Sequence, residues 1–459
     1  MLILSTVLLT ANPSMAQEEG PLFGVQRWDM YSGKGATQQQ ELGYLPGKQG
    51  FLIPEEWHHR APFFVRRTVD VGWIEHPIDA GPLWFNHPYD EQVLQDSMDK
   101  EIDFATDAGI DFFIFNGPAR TVNKKAYELH NNLDAYLKNT RQNKTKFVTA
   151  LYGHGSLKYS RSMVNLMLDE VIAYMQLPQW QTVLNGRPLL PVLWPINFKE
   201  HLASEDLAAD EQMTLAEFVL HIRTRVMAEG LQDPYLVGES VSKTHQDGAE
   251  IAAAGFDALS EYAGSYGGTT STRDDAPPYT QATDVMMQTW IDKYIKSGID
   301  VDYVPAMSIG AYAWPRAESD RHYHYLLPER GDITRRVEKT YTFVEENKVK
   351  IPAEVVFSYS WNEHSEMGAI NPTMGDSPDY APDTRWIDEV QAGLPAEADV
   401  PIVIPDNIIT ISEATPVTNN ISATVTLSPI ITSADNNVSL SYYWTINGVM
   451  AGTDSSILT

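Results

Sequence analysis

Residues 353–366 read AEVVFSYSWNEHSE, an apolar run followed at once by aromatic, amide, imidazole and carboxyl side chains. The apolar part, residues 353–357, has the length and composition of a buried strand. Polar side chains directly after a buried strand are typical of barrels of parallel strands, in which chemistry lies at the carboxyl ends of the strands. The stretch therefore predicts a strand and, just beyond it, a candidate site that contains the acids Glu363 and Glu366.

Similar apolar runs recur between residues 20 and 390 and alternate with amphipathic stretches. The predicted strands are residues 22–27, 111–115, 147–152, 189–194, 235–238, 256–262, 303–307 and 355–360. The clearest predicted helices are residues 91–108, 162–175, 215–229, 280–297 and 334–347. Alternating strands and helices imply a parallel sheet with right-handed crossovers. Eight such units predict an α/β fold of the (β/α)8 TIM-barrel type. An open doubly wound sheet is the alternative, although no Gly-rich phosphate loop follows an early strand.

Composition limits the classes of partner. The chain has 459 residues, 43% of them hydrophobic, so it can bury a large core. Lys and Arg total 33 while Asp and Glu total 61, which gives a net charge of −28. A surface this acidic repels phosphate backbones, so we expect no nucleic-acid partner. The chain has no Cys, which excludes disulfides and thiolate metal ligands.

The two ends of the chain differ from the region between them. Residues 2–9 form a short apolar run that resembles the core of a secretory signal, so we predict a signal peptide over 1–16 and a secreted, periplasmic or cell-surface protein. The run is too short to span a bilayer, and we expect no membrane span. After a (β/α)8 domain at 17–392 and a linker at 393–405, the alternation and the Asn447-Gly448 turn in 406–459 predict a partial immunoglobulin-like or PKD-type β-sandwich.

In a barrel the carboxyl ends of the strands meet at one rim, so polar and aromatic side chains there become site candidates. Segment 33–90 adds further candidates, because a long loop inside a compact domain is usually a binding loop, and we expect it to fold over the rim. Aromatic rings pack against the C–H faces of sugar rings, and Arg can bind sulfate or carboxylate through two hydrogen bonds. The predicted substrate-binding residues are Trp28, Asp29, Trp57, His58, Tyr152, His154, Trp194, Tyr262, Trp314, Arg316, Trp361 and Asn362.

Paired carboxyl groups indicate one kind of chemistry at this rim. Cleavage of a glycosidic bond commonly uses two carboxyl groups, one to give a proton and one to accept a proton or attack. Glu363 and Glu366 are the first candidates, and Glu239 and Glu261 at other predicted strand ends are the reserves. We expect no metal and no cofactor, since no histidine has a ligand spacing such as His-Glu-x-x-His.

Several short motifs, in order across residues 20–380, resemble glycoside hydrolase family 99 and the broader family-99-like (WbsX-type) group. The last of them is similar to the family's NEWxEG…P signature, and the others are similar to its AGID, NGRPV, FDA and P…GWD…R segments. The matching stretches are AGIDFF at 108–113, NGRPLL at 185–190, GFDA at 255–258, PAMSIG at 305–310 and SWNEHSEMG at 360–368.

The resemblance implies an endo-acting hydrolase that cleaves an α-linked polysaccharide of the α-mannan type with retention. It implies that Glu363 removes the proton of the sugar 2-hydroxyl, which attacks the anomeric carbon and forms an anhydrosugar. It also implies that Glu366 protonates the leaving oxygen and later activates water. Two neighbouring carboxyl groups of this kind push their titrations apart.

Three positions depart from the family pattern. His364 stands where the family has its second Trp, Met367 stands where a Gly follows the second Glu, and Pro315 follows Trp314 in place of Asp. These differences leave open a related barrel hydrolase that acts on a marine sulfated polysaccharide such as fucan (an endo-fucanase). A carbohydrate-binding protein that kept the barrel and lost turnover is a separate alternative, although the intact Glu363-x-x-Glu366 favours an enzyme. In each case we expect a polysaccharide partner, neutral or anionic, and a monomer.

Overall fold

The computed structural model describes residues 20–28, 44–45, 48–49, 58–60, 62–63, 91–116, 131–139, 145–152, 158–240, 245–262, 276–310, 325–364, 366–373, 382–395, 443–446 and 449–453. The chain divides into two compact units, Met1–Pro395 and Ala396–Thr459. In the second unit, strands Tyr443–Ile446 and Val449–Thr453 pair antiparallel. The predicted signal peptide lies outside the described residues, and the predicted sandwich and domain limits stay predictions. Within the described part of the chain, no helix has the length and apolarity that a bilayer crossing needs.

Nine parallel strand segments form the main sheet of the first unit. They are β1 (Leu22–Trp28), β2 (Phe112–Asn116), β3 (Lys146–Tyr152), β4 (Arg187–Leu193), β5 (Tyr235–Ser240), β6 (Ala258–Glu261), β7 (Asp302–Tyr303), β8 (Ala306–Ser308) and β9 (Val355–Tyr359). Their order is β7-β6-β5-β4-β3-β2-β1-β9-β8. Two short antiparallel pairings accompany them, Thr182–Val183 on β4 and Tyr44–Leu45 with Lys48–Gln49.

The sheet closes through one stretch of chain, residues 302–308. Its first half, β7, pairs with β6, and its second half, β8, pairs with β9 at the other edge of the sheet. Residues 304 and 305 continue these ladders, because the Val304 amide donates to the Leu259 carbonyl at 2.9 Å and the Pro305 carbonyl accepts from the Phe357 amide at 2.9 Å. The fold is therefore an α/β barrel of the TIM type, and the predicted fold class is confirmed.

Helices follow most of the strands. They are α1 (Glu91–Asp107), α2 (Asn131–Leu137), α3 (Arg161–Met175), α4 (Pro195–Leu202), α5 (Leu215–Ala228), α6 (His245–Ala253), α7 (Tyr279–Trp290), α8 (Asp332–Glu346) and α9 (Arg385–Gly393). The five predicted helices correspond to α1, α3, α5, α7 and α8. The predicted helix 280–297 differs in one respect, since its later part, Ile291–Ile295, is a π-helical turn.

Local side chains set where two of these helices begin. Ser160 caps α3, and its hydroxyl accepts from the Met163 amide at 3.2 Å. Thr214 and Glu217 form a capping box at the start of α5, in which each side chain satisfies the other residue's amide. Such caps satisfy amides that have no partner within the helix. They thereby define where the preceding loops leave the barrel.

Side chains along each strand alternate between the barrel lumen and the surrounding helices. On β1, Gln26 points into the lumen and reaches Glu239 on β5, whereas Arg27 points outward to Glu101 on α1. Gly24 lies on the lumen side, and a Cβ there would lie 2.2 Å from Cζ of Phe112. Glycine at this position therefore lets the Phe112 ring fill the lumen.

Candidate active site

The loop after β9 buries both predicted catalytic acids. Glu363 and Glu366 are only 4% and 8% exposed. The Glu363 amide donates to Oγ of Ser360 at 2.9 Å, and the Glu363 carbonyl accepts from the Gly368 amide at 2.9 Å. Ser360 and Gly368 are also linked, because the Ser360 amide donates to the Gly368 carbonyl at 2.9 Å. These bonds fold residues 360–364 and 366–368 into a tight loop, which we call the acid loop.

Tyr359, the last residue of β9, orients one of the two acids. Its hydroxyl donates a hydrogen bond to Oε2 of Glu366. The ring is almost fully buried, and its side chain faces the lumen beside Tyr262. A rigid strand residue thereby fixes the direction of the Glu366 carboxyl group.

Five aromatic side chains gather at the carboxyl ends of the strands. The ring centroids of Trp28 and Tyr152 lie 5.3 Å apart, and those of Tyr152 and Trp194 lie 4.9 Å apart. Tyr262 completes the circuit, at 5.9 Å from Trp194, 6.1 Å from Trp28 and 5.1 Å from Tyr359. Four of the five rings are partly exposed, Tyr359 being the buried member. We call these five residues the aromatic cluster, and it offers apolar faces at the rim of the barrel.

The acid loop and the aromatic cluster lie side by side. The pKa of the Tyr152 hydroxyl is raised, chiefly by burial, then by Tyr159 and by the charge of Glu363. Glu363 is thus close enough to Tyr152 to act on its ionisation. The Trp28 indole N–H donates to the Tyr262 hydroxyl at 2.7 Å, which fixes both rings. Carboxyl groups and aromatic faces consequently share one rim of the barrel.

Asn362 and Trp361 hold the acid loop in place. The Asn362 Oδ1 atom accepts from the Trp28 amide at 2.9 Å, and its Nδ2 donates to the Trp28 carbonyl at 2.7 Å. Trp361 is fully buried, with its ring 5.1 Å from that of Phe113 and its indole N–H donating to Oε2 of Glu101 at 2.6 Å. Both were predicted to bind substrate. Their polar atoms are already bonded to Trp28 and Glu101, which suits support of the loop rather than contact with a sugar.

Glu239, a reserve acid, lies inside the barrel at the end of β5. It is fully buried, and Gln26 donates to its Oε2 across the lumen. Asn116 extends this network, since its Nδ2 donates to Oε1 of Gln26 at 3.4 Å. Among the described residues, Oε1 of Glu239 has no hydrogen-bond partner. Burial raises the pKa of the Glu239 carboxyl from 4.5 to about 8, an effect that Gln26 only partly offsets. Glu239 is therefore mostly a neutral carboxylic acid at pH 7.

Glu261, the other reserve acid, faces the opposite way. Its carboxylate pairs with Nζ of Lys293 at 3.0 Å, and it also contacts Tyr294 in the π-helical turn after α7. Burial first, and then Glu261, raise the pKa of the Tyr294 hydroxyl. The side chain thus lies between β6 and the helical layer, outside the lumen. This position fits a structural ion pair better than catalysis.

Several predicted residues lie outside the described part of the chain, and sequence reasoning overlooked others that the site contains. Asp29, Trp57, His154, Trp314 and Arg316 lie outside the described residues, as does the side chain of His58. Three overlooked residues contribute to the site: Gln26, Arg60 and Tyr359. Gln26 carries a recognisable signal, a polar residue inside the apolar strand LFGVQRW. Among the described residues, no group of three or more His, Asp or Glu side chains is arranged to hold a metal ion.

The comparisons with known proteins show a similarity of fold. No family profile matches the chain, and no curated protein does. A solved structure described as a glycoside hydrolase-like protein matches with a TM-score of 0.51 and 12% identity, covering 84% of this chain and 96% of that chain. The GH99 endo-alpha-mannosidase from Bacteroides thetaiotaomicron, in complex with Bis-Tris-propane, matches with a TM-score of 0.39 and 12% identity, covering 81% and 94%. The chain thus shares the barrel fold of a glycoside hydrolase-like protein.

Proposed function

We propose that this chain is a glycoside hydrolase in which Glu363 and Glu366 act on the glycosidic bond. The observation that carries the proposal is the shared position of the two acids. Both are buried on one loop after β9, beside the partly exposed aromatic cluster at the rim. Glycoside hydrolysis needs two carboxyl groups near one bond, and aromatic faces suit the sugar rings on either side of it.

The proposed reaction has two steps, and the family resemblance supplies the roles. In the first, Glu363 takes the proton of the 2-hydroxyl while that oxygen attacks the anomeric carbon. The bond to the leaving oxygen breaks as Glu366 protonates it. In the second, Glu366 takes a proton from water as the water opens the anhydrosugar at the anomeric carbon, and Glu363 returns its proton to the 2-oxygen. Two inversions at the same carbon give net retention.

The structure supports particular tasks for the residues around these acids. The Tyr359 hydroxyl holds Glu366 in one orientation, so its proton can be directed at a single leaving oxygen. The Trp28 and Tyr262 rings, linked by a hydrogen bond, form a rigid apolar face for sugar units. We propose that the substrate is an α-linked polysaccharide cut within the chain, and that the protein acts after export.

A variant series on a polysaccharide panel tests the proposal. The wild type, Glu363→Gln and Glu366→Gln are incubated with α-mannans and with sulfated fucans, and the products are analysed by mass spectrometry. The wild type is expected to release oligosaccharides from one polymer class, and each variant to be slower by roughly 10²–10⁴-fold, the usual contribution of general acid or base catalysis. NMR spectra recorded early in the reaction give the anomeric configuration of the newly released reducing end. Retention is expected to give the same configuration as that of the bond that was cleaved.

A surface glutamate provides the matched control. Glu338→Gln makes the same chemical change at an exposed position on α8 and is expected to retain the wild-type rate. Equal product formation by the wild type and by both acid-loop variants would remove Glu363 and Glu366 from the mechanism. Saccharide binding without any cleavage by the wild type would favour the carbohydrate-binding alternative.

A further inference from the structure

A segment distant in sequence packs against the acid loop and the chain that follows it. We call residues 58–60 and 62–63 the strap. The Phe63 amide donates to the Pro372 carbonyl at 3.0 Å, and Pro62 forms an antiparallel bridge with Thr373. Thr373 is bridged in turn to Asp383, just before α9. These backbone contacts attach the strap to the carboxyl-terminal side of the acid loop.

Arg60 in the strap contacts the chain on both sides of Glu366. Its carbonyl accepts from Nδ1 of His364 at 2.7 Å, although the two residues are 304 positions apart in sequence. Its Nη2 donates to the Ala369 carbonyl at 3.2 Å. One residue therefore contacts the His364 side chain before the acid and the Ala369 backbone after it. A shift of Arg60 would be transmitted to Glu366 from both directions.

The His364 ring is held neutral in this arrangement. Burial, followed by the nearby Arg60 charge, lowers the pKa of His364 to about 3, while bonds to Arg60 and Asn371 raise it only in part. Because a carbonyl oxygen only accepts, Nδ1 must carry the proton that it donates to Arg60. His364 thus places no positive charge next to Glu363, and its part in the loop is to hold the backbone.

Arg60 itself is buried as a cation. It is 4% exposed, and its guanidinium lies 3.7 Å from the centre of the Trp386 ring on α9. Burial lowers the pKa of Arg60 to about 9, against the attraction of Asp383. Burying this charge costs free energy that an apolar side chain of similar size would avoid. The specific geometry that the guanidinium imposes on its neighbours would explain why an arginine stands at this position.

We propose that Arg60 is a positioning residue for the two acids of the acid loop. The proposal rests on the proposed function, because the purpose of the restraint is to keep Glu363 and Glu366 aligned on one glycosidic bond. The guanidinium fixes the Ala369 carbonyl and stacks on Trp386, while the Arg60 carbonyl fixes His364. Misplacement of a catalytic group by about 1 Å can cost about 100-fold in rate.

Steady-state kinetics of the full chain test this role. Arg60→Gln removes the charge, and Arg60→Lys keeps the charge but loses the planar group that stacks on Trp386. Both variants are expected to lose about 100-fold in kcat with KM close to the wild-type value. Arg335→Gln, at an exposed position on α8, is the control and should match the wild type. Wild-type kcat in both Arg60 variants would overturn the proposal.

Amide hydrogen exchange of the same variants tests the restraint without any substrate. Arg60→Gln should speed exchange of the Gly368 and Ile370 amides, which donate to carbonyls of the acid loop, while β2 and β4 exchange as in the wild type. Unchanged exchange at these two amides would overturn the proposal, as would equal loss of protection throughout the barrel. If the wild type cleaves no polysaccharide, the proposed function fails, and the exchange result still decides whether Arg60 restrains the loop.

Discussion

In the barrel lumen, the side chain of Glu239 couples folding to pH. Burial raises the pKa of its carboxyl from 4.5 to about 8, so the folded chain binds this proton more tightly than the unfolded chain does. Between these two pH values the folded state carries about one more proton. The contribution of Glu239 to the free energy of unfolding is therefore complete at low pH. It falls by about 1.4 kcal/mol per pH unit as the pH rises from 4.5 to about 8, and it is constant above that pH.

Glu239→Gln should remove this dependence, because glutamine is neutral at every pH and can still accept from Gln26. Urea unfolding of variant and wild type at several pH values from 5 to 9 provides the measurement. The stability of the variant relative to the wild type is expected to rise from pH 5 to about pH 8 and then stay constant. Glu338→Gln is the surface control. Parallel pH profiles of Glu239→Gln and the wild type would show that Glu239 does not titrate in this way.

Between secondary-structure elements, one buried carboxylate links α1, β1 and the acid loop. Oε2 of Glu101 on α1 accepts from Nη2 of Arg27 at 2.7 Å, from Nε of Arg27 at 3.1 Å and from the Trp361 indole at 2.6 Å. Both charged side chains are almost fully covered. Loss of one partner would leave the other charge buried without compensation, which is far more costly than loss of an exposed pair.

Glu101→Gln should therefore destabilise the chain by about 3–5 kcal/mol, measured by denaturant unfolding. The double variant Arg27→Met with Glu101→Leu should lose less unfolding free energy than Glu101→Gln alone, because no unpaired charge remains buried. Asp206→Asn, which breaks the exposed Lys158–Asp206 pair, is the control and should cost no more than about 1 kcal/mol. An equal loss of unfolding free energy in Glu101→Gln and Asp206→Asn would show that burial does not make the Arg27–Glu101 pair more important for stability.

At the level of the whole molecule, the barrel is complete within the first compact unit. Its last helix, α9, ends at Gly393, and Leu394 still packs against the core. Pro395 lies beside Gly20, so the first and last described residues of the unit are neighbours. The second unit starts at Ala396. The strand pairings that close the barrel all lie between residues 22 and 359, within this unit.

A chain that ends at Pro395 is consequently expected to keep the thermal midpoint of the barrel and its rate on a soluble polysaccharide. Differential scanning calorimetry and the product assay provide the two measurements. A chain cut earlier, after Asn347 in front of β9, is the control and should fail to fold, since β9 supplies the ladder to both β1 and β8. A markedly lower midpoint for the chain that ends at Pro395 would show that the second unit supports the barrel.

Sequence patterns predicted the barrel well because the relevant signals are local. Buried strands appear as apolar runs and helices as amphipathic stretches, so each of the eight predicted strands has a counterpart in the sheet. The position of the rim was predictable because the carboxyl ends of parallel strands meet at one edge. The structure brings four aromatic residues together there as predicted, namely Trp28, Tyr152, Trp194 and Tyr262. Closure through residues 302–308 was not visible, because it depends on pairing with two strands at once.

The sequence by itself determined the strand and helix succession and the set of polar residues at the strand ends. Only the tertiary structure decided which way those residues face. Glu239 and Glu261 both lie at strand ends, yet Glu239 pairs in register with Ser260 and Glu261 with Ser240, so their side chains emerge on opposite faces of the sheet. Which of two adjacent strand residues faces the lumen depends on how the strands pack into the barrel, and contacts such as Arg60 with His364 join distant segments. Local sequence patterns encode neither, since both arise from packing.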